Sequence, residues 1–335
     1  MKTTIKDIAK LAGVSKASVS RVLNGSKPVS DDIKQRVLKV IEETGYKPSS
    51  IARSLVSKKT NLIGLLIPDI SNPFYSELVK GMVEVANKHD YNILLLNSFH
   101  DPNKEIEFLE ILKDKQVDGL IFMTDNFTKE HINFFKDYDK PTVTVNRKLK
   151  EYDFPNVDID NFKAGFDATK YLIELGHKRI AIIRAPLSDE TAGVKRFEGY
   201  KKALEKYNIP FDENLVKEGD FKAKSGFIST EEFLKLDNPP TAIFTVNDEM
   251  ACGVIKRVIK GKLKVPEDIS VIGFDDIPIA NNFIPSITTI KQPISEMGKK
   301  ATKILYNMIK GENIVNKDFL LPHKLVIRES TSKKD

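Results

Sequence analysis

A single cysteine among 335 residues leaves no intrachain disulfide to staple this chain and no thiolate-rich cluster to hold a metal. Cys252 lies in the helical run NDEMACGVIKRVIK beside Met250 and Val254, so a packed, inert thiol is expected. Apolar runs are short, and none approaches the ~20 residues that a membrane span needs. The first residues, MKTTIKDIAK, lack the apolar stretch of a secretion signal, which predicts a cytoplasmic protein. Catalytic signatures are missing as well. No G-x-G-x-x-G follows the first strand pattern, whose turn reads IPDISNPF, and this argues against a nicotinamide dehydrogenase. The histidines, His89, His100, His131, His177 and His323, are scattered without metal-ligand spacing, and no G-x-S-x-G or H-E-x-x-H occurs. An enzyme is not expected, nor a cofactor, nor a metal site.

What is present is charge concentrated at one end. Residues 1–60 hold 13 Lys and Arg against 5 Asp and Glu, whereas the other 275 residues hold 40 against 42. The whole surplus of +6 therefore sits in the first sixth, where a polyanion can be met by counterion release. A basic run alone is usually just a solvated face. This one coincides with IKDIAKLAGVSKASVSRVLN, two short helical patterns broken by a turn.

Ile5, Ile8, Ala9, Val14, Val19 and Val22 recur at spacings of three and four on either side of Ala12-Gly13, so two helices can share one small core. Gly13 can take the left-handed conformation that ends the first helix, and Ser15 stands at the N-cap of the second. Lys16, Ala17, Ser18, Ser20 and Arg21 are short or cationic and suit a helix laid in a major groove. Ser30-Asp31-Asp32 then opens a third helix, IKQRVLKVIEETGY, which Gly45 ends. KPSSIARSLVSKKTN has too little apolar surface to pack by itself and reads as a linker that orders against a partner. The expected division is a head over 1–48, a hinge or linker over 49–60 and a body over 61–335.

From Leu62 the pattern changes to short apolar strands alternating with amphipathic helices. LIGLLIP precedes a helix at 74–89, NILLLNS one at 103–115 and VDGLIFM one near 128–137, and PTVTVN is expected to close a first lobe. RIAIIRA precedes a helix at 191–207, VKEGD one at 224–236 and AIFTV one at 248–261, with ISVIGFDD as the last strand. The fold class is α/β, with a three-helix helix-turn-helix head and a two-lobed body of doubly wound parallel sheets. Ligands of such sheets lie beyond the carboxyl ends of the strands. Asp69, Asn72, Asn146, Arg147, Asn247, Asp248, Asp275 and Asp276 follow strand ends, and their amides and carboxylates suit a hydroxyl-rich ligand. Phe74, Tyr75 and Phe221 are candidates to cover the apolar face of a ring. Singly, each has an ordinary structural role as a helix cap or core aromatic, and only their convergence at one sheet edge argues for a site.

The strings IKDIAKLAGVSKASVSRVLNG, GYKPSSIARSL, GLLIPDISNPFYSEL, VDGLIFM, NDEMACGVI and VIGFDD together resemble the LacI/GalR family of bacterial transcription regulators across the whole chain. PDISNPFYSEL, KQVDGLIFM, EGDF and PEDISVIGFDD are similar to its catabolite control protein branch. The resemblance implies a periplasmic-binding-protein-like body and a homodimer whose two heads read a near-palindromic operator in double-stranded DNA. A small effector would bind between the lobes of each body. The chain ends in RESTSKKD without apolar heptads, so a dimer rather than a tetramer is expected.

Residue by residue, the resemblance puts Lys16 and Ala17 at base-reading positions, with Arg21 a turn further on; lysine donates to guanine and alanine touches a thymine methyl. Ser15, Ser18, Ser20 and Asn24 take phosphate and positioning roles. Ala52 and Leu55 fall on the hinge, Leu55 matching a leucine that wedges into a base step in the minor groove. Ser49 stands where the family commonly has asparagine. In the body, Arg196, within KRFEGY, matches the arginine that holds the ligand in many relatives, and Asn247 and Asp275 match its polar companions. Asn146 falls where sugar-binding members often carry aspartate, while Glu190 and Ala192 depart from the arginine and threonine of the purine repressor, so a sugar or sugar phosphate is favoured. The catabolite control branch adds a serine-phosphorylated phosphocarrier protein as partner, through a basic helix near KKATKILYNMIKG. Lys303 replaces an arginine there and lacks its bidentate fork. A sugar-binding transport receptor would share the body, but should bring an export signal and no basic head.

Overall fold

Thr4 opens the first helix with a capping box: its side chain accepts from Asp7 N while the Asp7 carboxylate accepts from Thr4 N. The structure is a computed structural model and describes residues 3–24, 28–46 and 59–334. Helices α1 (Ile5–Leu11), α2 (Lys16–Asn24) and α3 (Asp31–Thr44) form the head. Gly13 takes φ +62° at the turn between α1 and α2, a conformation that costs a side-chain-bearing residue energy, and Gly45 ends α3 at φ +60°. Ser30 stands at the N-cap of α3, yet its side chain makes no cap hydrogen bond. Ile8, Ala9, Ala12, Val19 and Val37 are buried, with Ile5, Val14, Val22, Ile33, Val40 and Ile41 packed around them. The expected two-helix core is thus completed by α3.

The chain divides into two units, Met1–Thr60 and Asn61–Asp335. The second contains two six-stranded sheets. The first sheet runs β11-β5-β4-β3-β1-β2, with β1 Leu62–Ile67, β2 Asn92–Asn97, β3 Gly119–Phe122, β4 Thr142–Val145, β5 Asn156–Ile159 and β11 Asp318–Leu321. The second runs β12-β10-β9-β8-β6-β7, with β6 Ile180–Arg184, β7 Val216–Glu218, β8 Ala242–Thr245, β9 Ser270–Asp275, β10 Thr288–Lys291 and β12 Lys324–Val326. Every pairing is parallel except β10 with β12. The strand order reverses beside β1 in one sheet and beside β6 in the other, which opens a crevice at each set of carboxyl ends.

Six helices follow the expected rhythm, α4 Pro73–Lys88, α5 Pro102–Asp114, α6 Lys129–Lys136, α8 Arg196–Lys206, α9 Ala223–Phe233 and α10 Asp248–Lys260, and α7 Asn161–Glu174, α11 Pro278–Asn282 and α12 Ile294–Ile309 add to it. Two expectations need correction. PTVTVN does not close the first lobe, because β5 and the late strand β11 extend its sheet and α12 returns to pack on α4. ISVIGFDD is not the last strand, because β10 and β12 lie beyond it. The strand NVDI and α7 after it lie outside the expected pattern; four residues with one apolar alternation give too weak a period to mark a strand. Gly81 and Gly298 permit the close α4–α12 crossing, since a Cβ on Gly81 would fall 2.1 Å from Ser295 O and one on Gly298 2.2 Å from Leu78 O. The chain passes between the lobes at Asp160, at Gln292-Pro293 and between β11 and β12.

Cys252 is buried in α10, and burial pushes its thiol up to about 12, consistent with a packing role. His177 is buried after α7, with Nδ1 2.9 Å from Thr241 Oγ1 and Nε2 3.1 Å from Ser270 Oγ and 3.2 Å from Ser332 O. Burial holds this imidazole below its ordinary value, so the folded chain keeps it neutral. The unfolded chain takes up that proton near pH 6.5, so the stabilisation is complete above this pH and is lost as pH falls below it. The melting temperature is therefore expected to drop from pH 7 to pH 5, with a shallower drop in His177→Gln. Equal slopes in the two proteins would remove His177 from this role.

Candidate functional site

In the head, α2 presents one polar face. Lys16 and Ser20, like Ala17 and Arg21, are four apart and share a side of the helix, while Val19 on the other side is fully buried. Ser15, Lys16, Ala17 and Arg21 are exposed; Ser18 and Ser20 are half-buried. Ser15 caps the helix, its Oγ accepting from Ser18 N at 3.0 Å with the Ser18 hydroxyl another 3.0 Å away. Asn24 is the last residue of α2. Ala52 and Leu55, with Ser49, lie outside the described residues. The face therefore joins two cations to side chains short enough to let the helix backbone approach a groove floor.

In the body, the carboxyl ends of the two sheets face one cleft. From the first lobe come Asn72 and Phe74 after β1, His100 after β2, Met123, Thr124 and Asp125 after β3, and Asn146 and Arg147 after β4. From the second come Asp189, Glu190, Thr191 and Ala192 after β6, Arg196 at the start of α8, Phe221 after β7 and Asp275 at the end of β9. Gln292 joins them from a crossover, and Tyr75 lines the same wall. The remaining cavity is about 50 Å³, well below the ~300–1,000 Å³ of ordinary small-molecule sites, so a ligand larger than a few waters enters only if the lobes part.

Arg196 is the buried centre. Its Nε donates to Asn161 Oδ1 at 2.8 Å and its Nη1 to Val246 O at 2.6 Å, and the guanidinium lies 3.6 Å from the centre of the Phe274 ring. Asp275 Oδ1 sits 4.0 Å from Nη1 and accepts from Gln292 Nε2 at 2.7 Å. Burial pushes the Asp275 carboxyl up to about 6, and the positive charge of Arg196 limits that rise. Asp189 Oδ1 caps the following π-helical turn, accepting from Thr191 N, Thr191 Oγ1 and Ala192 N at 2.7–2.8 Å. Burial, then the neighbouring Asp125, raises its pKa. His100 bonds Asp125, and that bond raises the imidazole pKa.

Two features mark the cleft as built for a partner molecule. Asn146 Oδ1 and Gln292 Oε1 are buried without a hydrogen-bond partner, a state that buried polar atoms rarely keep. His100, Asn146, Phe221 and Asp275, four of the eleven residues other than glycine with positive φ among the described residues, stand at the lining at 62°, 66°, 65° and 108°. Between the lobes, Lys222 reaches Asp69 at 2.6 Å, Arg147 Nη1 donates to Ser188 O at 3.1 Å, and the His100 ring stacks on Phe221 with centroids 6.5 Å apart.

Of the body residues expected at the site, Asn72, Phe74, Asn146, Arg196, Phe221 and Asp275 line the cleft. Asp69 and Asn247 do not. Asp69 binds Ser71 and Lys222 at the rim, and Asn247 caps α10 through Met250 N while donating to Phe221 O at 2.8 Å. Asp248 is buried beneath Thr289 and Ile277, and Asp276 pairs with Arg328 and Lys291. His100, Asp125, Asp189 and Gln292 were missed. Asp125 follows VDGLIFM and Asp189 follows RIAIIRA, so the strand-end rule applied evenly would have found both. Among the described residues, no helix is long and apolar enough to cross a membrane, and no group of three His, Cys, Asp or Glu could hold a metal ion.

Residues 4–49 match the family described as bacterial regulatory proteins, lacI family, and residues 60–329 that described as periplasmic binding proteins and sugar binding domain of LacI family. The chain is 41% identical over 331 residues to the HTH-type transcriptional regulator RegA of Clostridium saccharobutylicum, covering 99% of this chain and 100% of that one. Catabolite control protein A of Priestia megaterium is 40% identical with the same coverage. Among solved structures, a lac repressor dimer bound to operator and the anti-inducer ONPF superposes with a TM-score of 0.89 at 28% identity, covering 99% of this chain and 100% of that one. With both halves matched and such identity along nearly its whole length, the chain belongs to the lacI family of bacterial transcriptional regulators, and it is a regulator rather than an enzyme.

Proposed function

We propose that this regulator is a cytoplasmic repressor that binds a pseudo-palindromic operator as a homodimer and senses a sugar or sugar phosphate between the lobes of its body. The observation that carries the sensing half is the buried Arg196–Asp275 pair flanked by the unpartnered oxygens of Asn146 and Gln292. Amide and carboxylate oxygens accept from hydroxyls, and a guanidinium donates to them. The matched family's sugar-binding description and the lac repressor dimer on its operator support the same reading. An effector that prefers one lobe arrangement shifts the balance between the DNA-binding and non-binding forms of the dimer. Coupling of ~1–3 kcal/mol changes operator affinity by about 5- to 150-fold.

The reading half rests on the exposed face of α2, where Lys16 and Ala17 would touch base edges, Arg21 would follow them, and Ser15, Ser18, Ser20 and Asn24 would hold the backbone. Lys16→Gln is expected to change the preferred half-site in a selection from random duplexes, because glutamine pairs with adenine where lysine serves guanine. An unchanged preference with uniformly weaker binding would assign Lys16 to phosphate instead. A second reading, with a phosphorylated phosphocarrier protein as corepressor, has one favouring observation. The chain is 40% identical over 331 residues to a catabolite control protein, although Lys303, exposed on α12, lacks the arginine fork of that branch.

A further inference from the structure

On the reading that the cleft is the effector site, we propose that it accepts an unphosphorylated sugar and discriminates against the phosphate ester of that sugar. The argument starts from hydrogen-bond supply. Asn146 Oδ1 and Gln292 Oε1 are buried acceptors waiting for donors, and four carboxylates, Asp125, Asp189, Glu190 and Asp275, line the same space. Hydroxyl groups can donate to all of these, whereas a phosphate dianion offers only acceptors.

Charge points the same way. The cations of the lining already have protein partners: Arg196 through Nε with Asn161 and through Nη1 with Val246 O, beside Asp275, Arg147 with the carbonyls of Asp125 and Ser188, and His100 with Asp125. A dianion would have to compete with these partners while facing Asp125, Asp189, Glu190 and Asp275, which are held in turn by His100, the Thr191-Ala192 turn, Lys195, and Gln292 with Arg196, in a crevice where like charges repel more than in water. Burial first, and then Asp125, Asp189 and Asp275, push the pKa of the Tyr75 hydroxyl well up. The remaining walls suit an uncharged ring. Phe74 and Tyr75 meet edge to face at 5.2 Å on one side, and Phe221 closes the other, offering apolar surface to ring C–H groups.

The test is calorimetric titration of the full chain with glucose, galactose, mannose, fructose, ribose, xylose, maltose and cellobiose, beside glucose 6-phosphate, fructose 6-phosphate and ribose 5-phosphate. At least one uncharged sugar should bind, and each ester should bind at least about tenfold more weakly than the tightest uncharged sugar, a difference of ~1.4 kcal/mol. An ester that binds as tightly as any uncharged sugar, or more tightly, overturns the discrimination while leaving the cleft as a sugar site. Binding by no compound of either kind overturns the discrimination and the sugar reading of the cleft together.

Discussion

Arg196→Ala is expected to abolish the effector response while operator binding without effector survives. The side chain is buried at the junction of three groups, donating through Nε to Asn161 and through Nη1 to Val246 O and facing Asp275, and on the proposed reading its guanidinium also donates to what binds between the lobes. Its removal strips the ligand of that donor and leaves Asp275 as a buried carboxylate without its cation. Effector affinity should fall by about 100-fold or more, ~2.7 kcal/mol. Breaking a buried pair also costs ~3–5 kcal/mol of stability, so the body should melt at lower temperature. Arg196→Lys separates the two effects, because it keeps the charge and loses the planar fork: it should retain more stability than the alanine variant yet still bind effector poorly. Calorimetry with the sugar and fluorescence anisotropy with labelled operator read both quantities. Normal effector affinity in Arg196→Ala would mean that the cleft is not the sensing site.

Val19→Asp should have the opposite pattern. Val19 is fully buried in the head, whose core rests on Ile8, Ala9, Ala12, Val19 and Val37. So small a core is marginal by surface-to-volume arithmetic, and a buried carboxylate with no partner costs several kcal/mol, roughly as much as such a unit has to spare. Specific operator binding should drop by at least about 100-fold, ~2.7 kcal/mol. The effector should still bind the body with unchanged affinity, and the body's thermal transition should stay where it was. Loss of both activities would show that the two units do not fold independently. Together the variants test whether reading and sensing reside in separate parts of the chain.

How much of this was visible in the residues alone depends on the range of the interaction. The head was legible because its signals are local: Gly13, the Ser15 cap and apolar positions three and four apart lie within two helical turns of the groups they organise. The strand-end rule likewise points to Asn72, Asn146 and Asp275, which line the cleft, because each stands at or after the end of a short strand pattern, LIGLLI, TVTV and SVIGFD. It points equally to Asp69 and Asn247, whose side chains are taken up by Lys222 and Ser71 and by Met250 N and Phe221 O. A polar residue at a strand end can serve the cleft or the next helix, and spacing does not distinguish the two.

The amino-acid order by itself determined the two-part organisation, the basic recognition helix and the alternating α/β rhythm of the body, since each arises from periodicity or charge within a short stretch. Only the tertiary structure decided that the chain crosses between the lobes at Asp160, at Gln292 and after β11, which brings Gln292 beside Asp275 and returns α12 to the first lobe. Contacts between residues far apart in sequence are set by how the sheets and helices bury their apolar faces against one another, and no local pattern carries that choice.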